Sequence, residues 1–191
     1  MKDKFYIGLD ISTSVVGISL FNNNKELIDL RYADLRKIKC YFSKADLVRS
    51  IFNIICKEFE VYTFDTEIYI EESLQSFRRG LSSAKTLMQL ARFNGVVSQI
   101  AYETFKAAPF YINVNVARKT LGLKIDKNSD KNTKDQVFDW VKNRIDFEWP
   151  TKVLKSGPQK GSVKFNETCY DISDAYIICK AVLNDESIKG R

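Results

Sequence analysis

The sequence predicts an α/β fold, a five-stranded mixed sheet flanked by helices. Two patterns lead there. Apolar runs of strand length follow one another near the N-terminus, at residues 4–11, 15–21 and 26–32, separated only by polar turns, as in an antiparallel meander. Beyond them, helical periodicities alternate with short apolar runs, the signature of strands joined by helical crossovers.

Taken in order, residues 4–11 are mostly apolar with little alternation, as in a strand buried on both faces. Ser12-Thr13-Ser14 supplies a turn, Val15–Phe21 a second strand, Asn22-Asn23-Asn24 another turn and Glu26–Tyr32 a third strand. From Ser43, read as an N-cap, Leu47, Ile51, Ile54, Ile55 and Phe59 recur at helical spacing. Glu67–Glu71 is the fourth strand. A long helix is predicted from Leu81 to about Lys106, packing through Leu87, Leu90, Ala91, Gly95, Val96 and Ile100. Its further apolar residues, Phe93, Val97 and Phe105, suit either a dimer contact or a broader core contact. Pro109 stops that helix and Phe110–Val114 is the fifth strand. Asn115–Leu121 forms a short helix ended by Gly122, and Thr133 caps a helix over Lys134–Ile145. The basic, Gly/Pro-containing stretch 151–167 reads as a long mobile or ligand-contacting loop. A last helix runs from about Asp171 to Leu183.

A chain of 191 residues without an internal repeat or dividing linker reads as one domain over 1–191, and 45% apolar residues can fill a sizeable core. No apolar run has membrane-spanning length, and a strand beginning at about residue 4 leaves no room for a targeting peptide, so an intracellular, cytoplasmic protein is expected. Cys40, Cys56, Cys169 and Cys179 lack metal-ligand spacing and read as reduced core residues. The formal charge of +6 is carried despite a set of acids that could converge, a negative centre in a positive frame that suits a nucleic-acid enzyme.

Those acids carry the chemistry. Asp10 ends the apolar strand Tyr6-Ile7-Gly8-Leu9, Glu71 ends Ile68-Tyr69-Ile70, and Asp171 and Asp174 share one helix face three residues apart. The chain has no histidine, which excludes imidazole chemistry and leaves oxygen-coordinated divalent metal, suited to phosphate hydrolysis. Singly, each acid has a structural reading: Asp10 holding the Ser12–Ser14 turn, Asp171 as an N-cap, Glu71, Glu72 and Asp174 as solvated ends. Together, with two of them closing buried strands, they point to a site.

The stretch Ile7-Gly8-Leu9-Asp10-Ile11-Ser12, with Gly17 seven positions after the Asp, resembles the opening of RuvC-type Holliday junction resolvases. Ile70-Glu71-Glu72 resembles their second acidic motif, Gln89–Ala101 around Gly95 their glycine-containing helix, and Asp171-Ile172-Ser173-Asp174-Ala175 their closing Asp-x-x-Asp-Ala. The resemblance implies an RNase H-like fold, a homodimer, and paired symmetric nicks across a four-way DNA junction. It implies two Mg²⁺ ions, with Mn²⁺ as a substitute, held by Asp10, Glu71, Asp171 and Asp174. Strand parity alone does not choose between Glu71 and Glu72. Lys134 is the best match to the family's phosphate-contacting lysine, and Arg118 and Lys119 also suit that role. The loop Gln75-Ser76-Phe77-Arg78-Arg79-Gly80 is longer than in typical bacterial members of the family, and its Phe77, Arg78 and Arg79 offer an aromatic ring and two cations to the junction centre. Lys152, Lys155, Lys160 and Lys164 of the 151–167 connection are further candidates for DNA phosphates.

Ile7–Ser14 also resembles the phosphate loop of sugar kinases and actin-like proteins, but those need two domains and a Gly-rich adenosine site, against eight glycines here. Two further functions are compatible with the same acids and fold: an RNase H-like nuclease acting on RNA–DNA hybrids, flaps or forks, and a junction-binding protein without activity.

Overall fold

The structure, a computed structural model, describes residues 4–61, 65–72 and 84–189. Strands β1 (Lys4–Ile11), β2 (Val15–Phe21) and β3 (Leu27–Asp34) form the predicted antiparallel meander. Helix α1 (Tyr41–Phe59) leads to β4 (Asp65–Glu71), which pairs parallel to β1, and α2 (Ala84–Phe105) leads to β5 (Pro109–Ile112), parallel to β4. The mixed sheet has the order β3-β2-β1-β4-β5. Helices α3 (Val114–Thr120) and α4 (Thr133–Lys142), the hairpin β6 (Thr151–Val153) and β7 (Val163–Phe165), and α5 (Thr168–Asn184) complete it.

Period-two alternation splits the core. Ile7, Leu9, Val16, Ile18, Ile68 and Ile70 face α1 and α2, packing on Val48, Phe52, Phe93 and Val97. Tyr6, Phe21 and Tyr69 face the other layer, where α5, α4 and α3 pack. Helix α5 is buried almost all round, which its apolar run Ala175–Cys179 allows. It sits unusually close to the sheet. A Cβ on Gly8 would lie 2.3 Å from the Ala175 carbonyl oxygen, and one on Gly17 would lie 2.1 Å from that of Asp171. Ser19, the strand partner of Gly8, donates its hydroxyl to the Ala175 carbonyl at 2.9 Å. Only small residues at these three places let the helix approach.

At the end of the sheet away from the Asp10 and Glu71 termini, Glu67 accepts hydrogen bonds from Lys4, Tyr69 and Lys189. Burial alone would push its carboxyl up, but these partners outweigh burial and hold it at about 2.

Several local expectations are corrected. Helix α1 begins at Tyr41 with Cys40 as N-cap, so Ser43 lies inside it. Cys40 is exposed, unlike the other three cysteines, which are buried and free. In α2 the buried face is Phe93, Val97, Ile100, Ala101 and Phe105, whereas Ala91 and Gly95 face solvent. Phe93, Val97 and Phe105 are therefore core residues, not dimer contacts. The predicted start of that helix, Leu81, lies outside the described residues. Asn132 rather than Thr133 caps α4, accepting from the Asp135 amide at 3.0 Å. The connection 151–167 is not a structureless loop: it folds back as the β6–β7 hairpin. The last helix starts at Thr168, which places Asp171 in its first turn. Among the described residues, no helix is long and apolar enough to cross a membrane.

Candidate metal centre

The chain's acids meet at the carboxyl ends of β1 and β4, where ligands of α/β sheets commonly bind. Asp10 and Glu71 are the last outward turns of their strands toward α5, since they share parity with Tyr6 and Tyr69, which face that layer. Glu71 joins the group of acids that could hold a metal, while Glu72 lines the same cleft outside that group. Gly17, the strand partner of Asp10, admits the first turn of α5. That contact brings the Asp171–Asp174 face over the strand ends.

Asp10, Glu71 and Asp174 each offer a carboxylate oxygen within 4.8 Å of the others, a cluster that could hold a metal ion. Asp171 lines the same cleft of about 390 Å³ but stands outside that tight triad. Loss of water around Asp10 and the charges of Glu71, Asp174 and Asp171 push its carboxyl well above the usual range. Glu71 is pushed up to about 7, first by burial and then by Asp174, against the opposing pull of its hydrogen bond with Asp10 and the charges of Arg118 and Lys134. Burial raises Asp171 to about 6, against the nearby Lys134. Carboxyls so crowded share protons when no cation lies between them. An all-carboxylate donor set without nitrogen or sulfur fits a hard divalent cation such as Mg²⁺ or Mn²⁺.

Two cations border the acids. Arg118 on α3 donates from Nη2 to Asp174 Oδ1 at 2.8 Å, both side chains largely buried, and its Nε is buried without a hydrogen-bond partner. Lys134, in the first turn of α4, lines the cleft with its ammonium 5.9 Å from the centre of the Tyr170 ring. Lys119 lines a neighbouring cleft with Lys124 and Lys127 rather than the acid cleft itself. Lys155 and Lys160 are exposed between β6 and β7, while Lys152 is paired with Glu167. Phe77, Arg78 and Arg79 lie outside the described residues.

The Ser12–Ser14 turn is held by Ser12, whose hydroxyl bonds the Val15 carbonyl at 2.8 Å and accepts from the Val15 amide at 2.9 Å. Asp10 is thus not needed for the turn, and its carboxylate is left to the site. Sequence reading missed two contributors. Asn94 on α2 lines the cleft and reaches the Glu71 carbonyl at 3.4 Å. Gly8 seats α5, and its signal was present as a glycine inside an otherwise apolar strand.

The fold and site define an RNase H-like α/β domain with an acid-lined cleft at its central strand ends. The comparisons agree on the fold. No protein-family model matches the chain, and no curated protein does. Among solved structures, RuvC of Thermus thermophilus in complex with a Holliday junction substrate superposes with a TM-score of 0.58 at 11% identity, covering 96% of this chain and 95% of that one. A second structure of Thermus thermophilus RuvC gives 0.57, also at 11% identity, covering 96% and 95%. The yeast mitochondrial Holliday junction resolvase Ydc2 gives 0.50 at 14% identity, covering 94% and 77%. The chain has the fold of the RuvC-type resolvases nearly end to end.

Proposed function

We propose that residues 1–191 form one nuclease domain, a structure-selective endonuclease that resolves four-way DNA junctions by paired symmetric nicks. The observation that carries the proposal is the meeting of Asp10, Glu71 and Asp174, with Asp171 in the same cleft, at the strand ends of this fold. Support comes from the likeness to two junction resolvases, one of them in complex with a junction substrate.

In this reading Asp10, Glu71, Asp171 and Asp174 would hold two Mg²⁺ ions, or Mn²⁺ in their place, and the metal would supply Lewis-acid activation of the phosphate and of the attacking water. The chain's own groups do the rest. Lys134 grips a phosphate oxygen beside the acids and offsets charge that builds as the phosphodiester opens. Arg118 fixes Asp174 in its rotamer. Lys119, Lys155 and Lys160 contact backbone phosphates, and Phe77 with Arg78 and Arg79 engages the junction centre. Paired nicks on strands of like polarity require two sites related by a two-fold axis, hence a homodimer. We place its seam on the outward face of α2, where Met88 and Tyr102 are exposed around Ala91 and Gly95. The protein acts on DNA inside the cell, in the cytoplasm.

The test is cleavage of a labelled synthetic four-way junction with Mg²⁺, beside linear duplex, flap and RNA–DNA hybrid, with Asp10→Asn as the blank. Symmetric paired nicks confined to the junction are expected. Cutting of the hybrid or flap instead would retain the metal centre and replace the substrate. No metal-dependent cleavage of any substrate would leave a binding protein.

A further inference from the structure

A second cleft, of about 690 Å³, opens across the Ser12–Ser14 turn from the acids. Ser12 lines the acid cleft and Thr13 lines this one, so a single turn of chain, with about 3.8 Å between successive Cα atoms, separates the two. The topology explains why. Helix α2 leaves β4 and returns to the parallel β5, and α1 likewise precedes β4, so both helices start at the end of the sheet that carries Asp10 and Glu71. Lys39 lies just before α1, Tyr41 and Lys44 lie in its first turn, and Arg92 and Phe93 lie in the third turn of α2.

The cleft has the chemistry of a nucleic-acid strand site. Lys39, Lys44 and Arg92 face it, and among the described residues none of the three is within ion-pair distance of a carboxylate. Elsewhere on α1 and before it, the arginines are neutralised: Arg36 by Asp34, and Arg49 by Glu103. Lys44 donates to the Thr13 carbonyl, which ties α1 to the turn beside the acids. Tyr41 is half-buried, propped edge-on against Phe93 with ring centres 5.5 Å apart at 78°. Unpaired cations beside a propped aromatic ring match a phosphodiester backbone with one base laid against the ring. The volume lies in the range of clefts that bury ligands of nucleotide size, roughly 300–1,000 Å³.

We infer that this cleft is a strand-binding subsite for the DNA strand being cut, with Lys39 and Arg92 on phosphates beside the scissile one and a base against Tyr41. It rests on the nuclease reading for the identity of that strand. The sequence motifs point to other residues for DNA contacts, and among the described ones Arg118, Lys119, Lys155 and Lys160 do not line this cleft.

The experiment measures binding of the full chain, without catalytic metal, to a labelled four-way junction and to a single-stranded oligonucleotide across a salt series. The variants are Lys39→Gln/Arg92→Gln, both at exposed positions, and Tyr41→Leu. The control is Lys57→Gln/Lys106→Gln, two exposed lysines where α1 and α2 end, away from the acids. The charge variant is expected to bind about tenfold more weakly at ~0.1 M salt, with the slope of log affinity against log salt shallower by about 1.4–1.8. Phosphate-ethylation interference should vanish at positions adjoining the cut. The control should match wild type. Junction affinity, slope and interference unchanged in the charge variant would overturn the subsite while leaving the resolvase reading intact. A change in oligomeric state in place of DNA affinity would also overturn it and assign the cleft to a subunit contact. Wild type that binds the single strand but not the junction, with the variants weakened, would sustain the subsite and sink the resolvase reading. Wild type that binds neither would overturn both.

Discussion

Gly17→Ala tests whether the position of α5 builds the candidate metal centre. The new methyl group would begin 2.1 Å from the Asp171 carbonyl oxygen and 2.9 Å from the Ile172 amide nitrogen, where ordinary contact starts at 3.4 Å. Both neighbours are backbone, so no side chain can swing aside. Helix α5 and β2 must separate by about 1 Å, and overpacking of this kind costs roughly 1–3 kcal/mol. Because the displaced turn carries Asp171 and is followed by Asp174, the same movement pulls those carboxylates from Asp10 and Glu71. Misplacement by about 1 Å commonly lowers activity ~100-fold. Thermal unfolding without metal should show the stability loss. Titration with Mn²⁺ followed by electron paramagnetic resonance should show weakened binding, and junction cleavage should fall with it. A folded Gly17→Ala protein with wild-type stability, metal affinity and cleavage would refute the claim that α5's close seat sets the site. Gly95→Ala is the control for stability alone, since that position lies in the proposed dimer seam: nothing in the chain lies within 4 Å of a Cβ there, so a gain of about 0.5–1 kcal/mol is expected from helix propensity.

Asp10→Asn should abolish cleavage and retain junction binding, and in the absence of metal it should raise the melting temperature at neutral pH, because the wild-type carboxyl must either be buried charged among other acids or take up a proton on folding. Stabilisation by Mg²⁺ should be larger at pH 8 than at pH 5.5. Glu71 is raised from 4.5 to about 7, so in metal-free protein its contribution is fully present below 4.5 and lost as pH rises through 7, and ligation needs the ionised form. Equal melting shifts at the two pH values would contradict this. Arg118→Met strands the largely buried Asp174, at a cost of up to about 3 kcal/mol without metal, and saturating Mg²⁺ should restore part of that loss. Glu67→Gln should cost about 2 kcal/mol at pH 7 after discounting for the partly exposed Lys4. With a folded value near 2 against 4.5 unfolded, wild type's advantage is present above 4.5 and should vanish as pH falls through 2 in urea titrations.

The sheet was legible because its strands are bounded by unmistakable turns and its inner members are apolar on both faces, as Ile7–Leu9 and Ile68–Ile70 show. The acids were legible because a carboxylate ending such a strand has few structural uses. Helix faces were harder to assign. In α2 both Ala91/Gly95 and Phe93/Val97 recur at helical spacing, and only the position of the sheet shows that the large residues are inside. The β6–β7 strands escaped notice because each is three residues long, with Val153, Val163 and Phe165 exposed, so no burial pattern marks them. Arg118 was visible only as one cation among several. Its pairing with Asp174, 56 positions away, depends on α3 packing against α5 and has no local signature.

The Glu67 cluster has a topological consequence. Lys4 in β1 and Lys189 beyond α5 pair with opposite oxygens of one carboxylate in β4, so β1, β4 and the segment after α5 are fastened side by side. Glu67 precedes Glu71 by four strand positions, about 13 Å along β4, which puts this clasp at the pole of the molecule remote from the metal centre. A surface tether fixed at the clasp would therefore leave the acidic mouth facing free solution.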